Sequence, residues 1–349
     1  MALTDESYME RCLSLARKGA GYTAPNPMVG AVLLHEGRII GEGYHEQYGQ
    51  AHAEPNCINS VADADKALIG YSTLYVSLEP CAHFGKTPPC SDLIIEKRIP
   101  RVVIGCRDPF EQVNGRGIEK LKAAGIEVIT GVCEKACIDL NKRFFTFHEQ
   151  QRPYVILKWA QTADEKIAGN NNQRLLISNP ETNRLVHKWR SEESAILVGT
   201  ETALRDDPSL DNRLWTGKSP VRMVVDLSLR LPPTLKLLNQ QQPTIVFNQL
   251  KEEQNGNLHY LQLTPGNLVE QLLKACHKLG LQSVLVEGGA RLLQSFIDAG
   301  VWDEARIITN TTLNIGDGLA APALNEKQHL YTDHLATDKI DYYTKTSST

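Results

Sequence analysis

The sequence lacks the features that would assign the chain to a membrane or a nucleic acid. No apolar run approaches the roughly 20 residues that a transmembrane helix needs. A signal peptide begins with a basic segment that is followed by an apolar one, whereas the first residues here, MALTDESYMERC, are acidic. Lys+Arg 37 against Asp+Glu 41 gives a formal net charge of −4, which argues against a dedicated nucleic-acid binder. We therefore expect a cytoplasmic protein that binds neither membranes nor nucleic acids.

Cysteine is also scarce. Eight cysteines in 349 residues are too few for a disulfide scaffold, and a reducing compartment would keep them as thiols or metal ligands. Seven of the eight lie before residue 140, so cysteine chemistry is predicted in the first half of the chain.

The length predicts about two domains, because a single core rarely organises this many residues. In the first half, helical and strand patterns alternate, which is typical of an α/β fold. Helices are predicted at 5–18, 52–64, 89–98 and 116–124, a β-hairpin at 29–34 and 38–41, and strands at 73–78, 102–106 and 126–129.

A polar stretch at 149–153 interrupts this pattern, and a new strand begins at residue 154. We place the domains at 1–148 and 152–349. In the second half, further strands are predicted at 194–199, 221–226, 243–248, 283–287 and 304–309, and helices at 180–191, 267–279 and 289–299. Residues 316–349 are polar and charged with little periodicity, and no element is assigned to them.

Three potential zinc ligands occur in the first half. His52 opens a helical segment two residues before Glu54, Cys81 follows a strand, and Cys90 begins the next helix. A catalytic zinc takes three protein ligands and leaves a fourth position for water, whose pKa falls to about 7. Glu54 would then carry the proton from water to a leaving amine, as the glutamate of His-x-Glu does in zinc deaminases.

Two other interpretations of these cysteines remain open. Cys81 and Cys90 could be buried thiols, or they could belong to a closed structural zinc site. A closed site would want a fourth ligand, and the nearby candidates are Cys57, His83 and Cys106.

At these residues the chain resembles the cytidine-deaminase superfamily, and specifically the deaminase domain of the bifunctional riboflavin-biosynthesis deaminase/reductases. The eight residues between the two cysteines carry this distinction, because nucleic-acid and nucleoside deaminases typically show Pro-Cys-x-x-Cys. Residues 24–31, 43–45 and 49–54 also match the family pattern. The resemblance implies an α/β/α sandwich in which Asn26, His45, His83 and Lys86 contact the pyrimidine or the ribose phosphate.

The second half has no Gly-x-Gly-x-x-Gly fingerprint of dinucleotide-binding domains. Instead, the strand that ends at Glu287 leads into Gly288-Gly289 and then a helical pattern. Exposed amides at such a helix start suit a pyrophosphate, although a double glycine can equally form a tight turn without a ligand.

Further motifs in this half resemble the reductase domain of the same family, including residues 157–160, 195–199 and 202–210. The resemblance implies a dihydrofolate-reductase-like α/β fold that uses NADPH. The implied cofactor contacts are Ala160, Leu176, Thr202, Asp206, Gly288 and Gly289. The implied substrate contacts are Arg174, Arg190, Leu210, Arg213 and Glu287.

The family pattern is broken at residues 172–176. Relatives usually show Gly-Glu-Ser-x-Trp there, so Arg174 and Leu176 replace a substrate contact and a nucleotide contact. Arg174 could form a charge-assisted contact with a phosphate, or it could point to solvent and leave the reductase site weak.

The expected function is therefore zinc-dependent deamination of a pyrimidine ribose phosphate, followed by NADPH-dependent reduction of its ribosyl group. We also expect a homo-oligomer, with a dimer favoured. The alternatives are a deaminase with a silent second domain, a nucleic-acid base deaminase with an accessory domain, and a zinc-stabilised binding protein. The cysteine spacing and the absence of a basic stripe argue against a nucleic-acid base deaminase.

Overall fold

A computed structural model describes residues 4–84, 88–170 and 175–346. The chain divides into two compact units, Met1–Gln151 and Arg152–Thr349, each with its own main sheet. The expectation of two α/β units is confirmed. Among the described residues, no helix combines the length and the apolar character that crossing a membrane requires.

The first unit contains one sheet and helices on both of its faces. Its helices are α1 (Asp5–Ala16), α2 (Ala53–Asn59), α3 (Cys90–Glu96), α4 (Arg116–Ala123), α5 (Glu134–Leu140) and α6 (Lys142–Gln150), and its strands are β1 (Gly30–His35), β2 (Arg38–Tyr44), β3 (Thr73–Leu78), β4 (Arg101–Cys106) and β5 (Glu127–Thr130). The strand order is β2-β1-β3-β4-β5. β1 pairs with β2 and β3 in antiparallel fashion, and the pairs β3–β4 and β4–β5 are parallel.

Alternation of apolar residues along the strands produces three layers. In β3, Leu74 and Val76 face the core formed with α2, α3 and α4, whereas Tyr75 faces the core formed with α1, α5 and α6. Because side chains alternate across a strand, a wholly apolar strand can bury both faces. The predicted strands at 73–78 and 102–106 have this character.

A glycine brings α2 directly onto the sheet. A Cβ atom at Gly43 of β2 would lie 2.2 Å from the backbone nitrogen of Cys57 and 2.6 Å from the carbonyl carbon of Asn56. The backbones of β2 and α2 can approach this closely only because residue 43 has no side chain. This contact fixes the position of the helix that begins directly after His52.

The second unit is built on a ten-stranded sheet. Its helices are α7 (Pro180–Glu192), α8 (Thr200–Asp206), α9 (Leu268–Lys278) and α10 (Ala290–Asp298), and its strands are β6 (Tyr154–Thr162), β7 (Lys166–Gly169), β8 (Ala195–Gly199), β9 (Val221–Val225), β10 (Thr244–Asn248), β11 (Glu253–Asn255), β12 (Leu258–Gln262), β13 (Ser283–Val286), β14 (Glu304–Asn310), β15 (Gly318–Ala320), β16 (Lys327–Leu335) and β17 (Asp338–Lys345). The order in the large sheet is β11-β12-β10-β9-β8-β13-β6-β14-β17-β16, and β7 pairs with β15 separately.

The central strands of this sheet are parallel, from β12 across to β14. Their carboxyl ends therefore lie at one edge, which is where open α/β sheets bind ligands. Apolar residues of α9 and α10 cover one face of the sheet, and Val186 and Trp189 of α7 cover part of the other.

The predicted elements correspond to the structure in most places. The hairpin is confirmed as β1 and β2, and the opening helix is confirmed as α1. The absence of any predicted element at 316–349 was wrong, since β16 and β17 form a long antiparallel pair there. Most residues of β16 are exposed at the sheet edge, so this strand has no apolar alternation to detect.

We expect Gly43→Ala to lower the free energy of unfolding by about 1–3 kcal/mol, because its methyl group would collide with backbone atoms of α2. Gly70→Ala is the matched control, since the atom nearest to its added Cβ would be 3.5 Å away. Urea denaturation of both variants measures the difference. Equal stability of the two variants would contradict the close-contact argument.

Candidate active sites

The three predicted zinc ligands of the first unit lie together. The Cys81 and Cys90 sulfurs are 3.7 and 3.4 Å from His52 Nδ1, and the ligand atoms of all three residues lie within 4.8 Å of one another. Within the ranges that the structure describes, this is the one such cluster of three metal-binding side chains.

Three separate elements bring these ligands together. His52 directly precedes α2, Cys81 follows β3, and Cys90 is the first residue of α3. None of the three candidates for a fourth ligand belongs to this cluster. Cys57 is buried in the apolar core, the Cys106 thiol donates to the Ser77 carbonyl at 3.5 Å, and the His83 ring packs against Phe110. The geometry therefore gives three ligands and an open fourth position, as in catalytic zinc sites.

The two thiols differ in their readiness to ionise. The hydrogen bond from the Cys90 thiol, followed by those from His52 and the Cys90 backbone N–H, lowers the pKa of Cys81 to about 4 despite its burial. Cys90 has its pKa raised, because it donates to Cys81 and is buried beside Glu54. The pair thus holds one thiolate ready for a cation.

Glu54 lies beside these ligands and is only 3% exposed. Burial raises the pKa of this carboxyl to about 7, and the proximity of His52 partly opposes the rise. A carboxyl group with this pKa can both accept and release a proton near neutral pH, as a general acid–base catalyst must.

Two of the predicted substrate contacts adjoin the ligands. His45 donates from Nδ1 to the Ala51 carbonyl at 2.9 Å, so Nε2 accepts from the Asn26 amide at 3.1 Å. The His45 ring lies edge-on to His52, with 5.3 Å between centroids. Burial lowers the pKa of His45, which keeps the ring neutral.

The other two predicted contacts have different outcomes. His83 packs against Phe110, and its buried Nδ1 has no hydrogen-bond partner among the described residues. This nitrogen is therefore available to a bound molecule. Lys86 lies outside the described residues.

Glu79 was not predicted from the sequence, although it organises the loop that carries Cys81. Its buried carboxylate accepts backbone N–H groups of Asp108, Gly115, Gly117 and Ile118 at 2.9–3.3 Å. Four such bonds fix the end of β3 relative to the start of α4. The one sequence signal for this role is that Glu79 is an acidic residue placed directly before Pro80-Cys81.

In the second unit, a cavity of about 980 Å³ lies at the carboxyl ends of the parallel strands. Its size is at the upper end of the usual range for small-molecule sites. Nine of the predicted site residues line it: Ala160, Leu176, Arg190, Thr202, Asp206, Leu210, Glu287, Gly288 and Gly289.

A largely buried ion cluster forms one wall of this cavity. Arg190 donates from Nε and Nη2 to the two carboxylate oxygens of Glu287 at 2.9 and 2.8 Å, and Lys158 Nζ lies 3.7 Å from Glu287. Burial alone would raise the pKa of Glu287, but the charges of Arg190 and Lys158 outweigh it and lower the pKa to about 2. Lys158 was not predicted as a site residue, and it joins the cluster only through the parallel pairing of β6 with β13.

The glycine turn is shaped for close approach. A Cβ atom at Gly288 would lie 2.9 Å from Thr202 Cγ2, and Gly289 has a φ of +78°, in the region that favours glycine. The turn thus presents bare backbone beside the Thr202 hydroxyl.

Of the predicted substrate residues that the structure describes, Arg213 does not line the cavity. The Arg213 guanidinium pairs with Asp211, and the Arg213 side chain is more than half exposed. The backbone N–H of Arg213 donates to His187 Nδ1 at 3.1 Å. Arg174 lies outside the described residues. Its neighbour Leu176 lines the cavity but is 75% exposed.

Comparison with protein families agrees with this division. Residues 3–106 match the family described as the cytidine and deoxycytidylate deaminase zinc-binding region. Residues 153–334 match the RibD C-terminal domain.

Complete relatives match both units. The chain is 42% identical to the riboflavin biosynthesis protein RibD of Aquifex aeolicus, across 90% of this chain and 89% of the relative. It is 36% identical to the crystal structure of a Thermotoga maritima deaminase/reductase, with 98% of each chain covered and a TM-score of 0.89. The corresponding values for Acinetobacter baumannii RibD are 30% identity, 98% and 99% coverage, and a TM-score of 0.89. The chain belongs to the RibD family.

As a RibD-family member, it is a bifunctional deaminase and reductase of riboflavin biosynthesis that uses Zn²⁺ and NADPH. The residues present fit both groups. One imidazole nitrogen and two sulfurs form a donor set suited to zinc, and bare backbone at a helix start suits a pyrophosphate.

We expect Glu287→Gln to lower the free energy of unfolding by about 3–5 kcal/mol at pH 7, because Arg190 and Lys158 would keep buried charges without their counter-ion. Glu270→Gln, which removes one partner of an exposed pair with Lys274, should cost about 1 kcal/mol or less.

The stability difference between the wild type and Glu287→Gln should also depend on pH. The pKa of Glu287 in the folded protein, about 2, lies below its ordinary value of 4.5, so its stabilisation is present above 4.5 and is lost as the pH falls towards 2. The stability difference between wild type and Glu287→Gln should therefore narrow over that range. A difference near zero at pH 7 would contradict the proposed ion cluster.

Proposed function

We propose that the first unit removes the 2-amino group of 2,5-diamino-6-ribosylamino-pyrimidinone 5′-phosphate by hydrolysis, and that the second unit reduces the ribosyl group of the product to ribityl. The observation that carries the deaminase assignment is the convergence of His52, Cys81 and Cys90 beside buried Glu54. The Thermotoga maritima relative is a diaminohydroxyphosphoribosylaminopyrimidine deaminase and 5-amino-6-(5-phosphoribosylamino)uracil reductase, which supports this choice of substrate. Steady-state assays that follow ammonia and NADPH separately test both steps.

In the deaminase site, His52, Cys81 and Cys90 would hold zinc. Bound zinc would serve as a Lewis acid that lowers the pKa of a water molecule, so that hydroxide is available at neutral pH. Glu54 takes a proton from the attacking water and delivers it to the amine that leaves as ammonia. Its pKa of about 7 matches this double task.

Asn26, His45 and His83 would bind and orient the pyrimidine. The Asn26 side-chain oxygen, next to His45, and the buried His83 Nδ1 offer polar contacts to a bound pyrimidine. We propose that Lys86 binds the ribose phosphate as a point charge. This assignment stays a prediction from the family resemblance.

In the reductase site, NADPH supplies the hydride for C1 of the opened ribose. Backbone N–H groups at Gly288 and Gly289, with the Thr202 hydroxyl, would hold the pyrophosphate, and Ala160, Leu176 and Asp206 would contact the rest of the cofactor.

Arg190, Leu210, Arg213 and Glu287 would bind the ribosylamino substrate, with Arg174 as an added phosphate contact. Support for Arg190 and Glu287 comes from their fixed pairing in the cavity wall. Self-association as a dimer remains a prediction.

We expect Glu54→Gln to retain about one zinc per chain but to lose deamination, because an amide cannot carry the proton while His52, Cys81 and Cys90 still bind the metal. Cys81→Ser should lose the metal instead. Metal analysis and ammonia release measure the two effects separately. Near wild-type ammonia release by Glu54→Gln would exclude Glu54 as the proton carrier.

We also propose that residues 1–148 carry the deaminase activity and residues 152–349 the reductase activity, and that the two activities can be separated. Each unit has its own sheet and cores, so a 1–148 fragment should bind zinc and release ammonia. Circular dichroism, metal analysis and ammonia assay test the fragment. An insoluble or zinc-free fragment would show that the second unit is needed to complete the first.

A further inference from the structure

The cavity of the second unit extends beyond the residues assigned so far. The sheet order β9-β8-β13-β6 places the carboxyl ends of four parallel strands side by side. Residues after or near each end line the cavity: Ala160 on β6, Gly288 after β13, Thr202 after β8 and Arg230 after β9. With about 4.8 Å between neighbouring strands, the β9 end is about 10 Å from the glycine turn.

The strand order predicts how the bound cofactor is oriented along the cavity. The buried cluster of Arg190, Glu287 and Lys158 lies at the β6 and β13 side, where the reacting sugar is expected to lie. If the pyrophosphate lies at Gly288-Gly289, the nicotinamide extends towards β6. The adenosine half then extends towards the ends of β8 and β9.

The turn after β9 holds Arg230 in place at that end. The buried Asp226 carboxylate accepts the backbone N–H groups of Arg230 and Leu231 at 3.1 and 2.9 Å. The backbone of Arg230 is therefore fixed, while its side chain is 55% exposed and lines the cavity.

A second arginine and one carboxylate share this surface. Arg230 Nη2 lies 2.7 Å from Glu201 Oε1, and Arg205 follows Glu201 by four residues on α8, which places the two on one helix face. Both also line the cavity. Across the described ranges, Arg205 has no ion pair of its own.

We propose that Arg230 and Arg205 bind the 2′-phosphate of NADPH, and that these two arginines, opposed by Glu201, set the preference of the reductase for NADPH over NADH. The inference rests on the proposed NADPH-dependent reduction. A phosphate dianion pairs strongly with guanidinium groups, whereas the free 2′-hydroxyl of NADH is a donor that suits a carboxylate.

In this arrangement the negative charge of Glu201 disfavours binding of the 2′-phosphate. Its pair with Arg230 is exposed on both sides, 55% and 72%, and exposed pairs hold only weakly. A phosphate can displace the Glu201 carboxylate from Arg230. Asp206 and Asp226 also line the cavity, and both Asp226 oxygens are already engaged by backbone N–H groups.

Isothermal titration calorimetry on the full-length zinc-loaded protein tests the proposal without turnover. The probes are 2′,5′-ADP and 5′-AMP, which differ only by the 2′-phosphate, together with NADP⁺ and NAD⁺. The readout is the ratio of the two dissociation constants in each pair. Thermal unfolding midpoints check that every variant is folded.

We expect Arg230→Gln to reduce the preference for 2′,5′-ADP over 5′-AMP by about ten- to a hundred-fold, since it removes a charge-assisted contact. Arg205→Gln should reduce it as well, Arg230→Lys should retain part of it, and Glu201→Gln should increase it. The matched control is Arg184→Gln, an arginine beside Trp215 that does not line the cavity among the described residues, and it should leave the ratio unchanged.

The results separate this proposal from the proposed function. If the wild type binds NADP⁺ and NAD⁺ but both arginine variants keep its preference, the 2′-phosphate assignment is overturned and the reductase assignment stands. A loss of preference in Arg184→Gln equal to that in Arg230→Gln would also overturn it. If the wild type binds neither dinucleotide, both assignments fail.

Discussion

Buried carboxylates placed directly after parallel strands are the constraint on which both units depend. Glu79 follows β3 and accepts four backbone N–H groups, and Asp226 follows β9 and accepts two. Glu287 follows β13 and is paired with Arg190 and Lys158. A buried carboxylate is costly unless it is fully hydrogen-bonded or paired, so each of these residues dictates where several neighbouring groups must lie. The loops at the strand ends are thereby fixed, and the site residues are carried on those loops.

Local patterns in the sequence were sufficient for the elements that bury an apolar face. The strands β3 and β4 are apolar on both sides, and helices α1 and α10 carry clear apolar faces. The β16–β17 pair was missed because β16 is mostly exposed and its place at the edge of the sheet depends on pairing with β17. Strand formation there follows from tertiary hydrogen bonding, which local periodicity does not record.

The same distinction separates the site residues. His52, Cys81 and Cys90 could be selected because metal chemistry restricts the ligand types and the spacing marks the family. Glu79 and Lys158 could not, since their partners are distant in sequence and are brought close only by the strand pairing. Arg213 was selected by a family pattern, and in the structure its guanidinium pairs with Asp211, which does not line the cavity. A motif therefore predicts which residue types are present, and the fold decides which of them meet.

Glu54 and Glu287 show how the two units use one residue type for opposite purposes. Both carboxyls are buried, and burial favours the neutral form of each. At Glu54 the neighbouring groups only partly oppose this effect, so the pKa rises to about 7 and the group can exchange a proton at neutral pH. At Glu287, Arg190 and Lys158 reverse the effect and lower the pKa to about 2, so the group is a permanent negative charge. The first arrangement suits hydrolysis, which needs a proton carrier, and the second suits a site whose carboxylate must hold two cations in fixed positions.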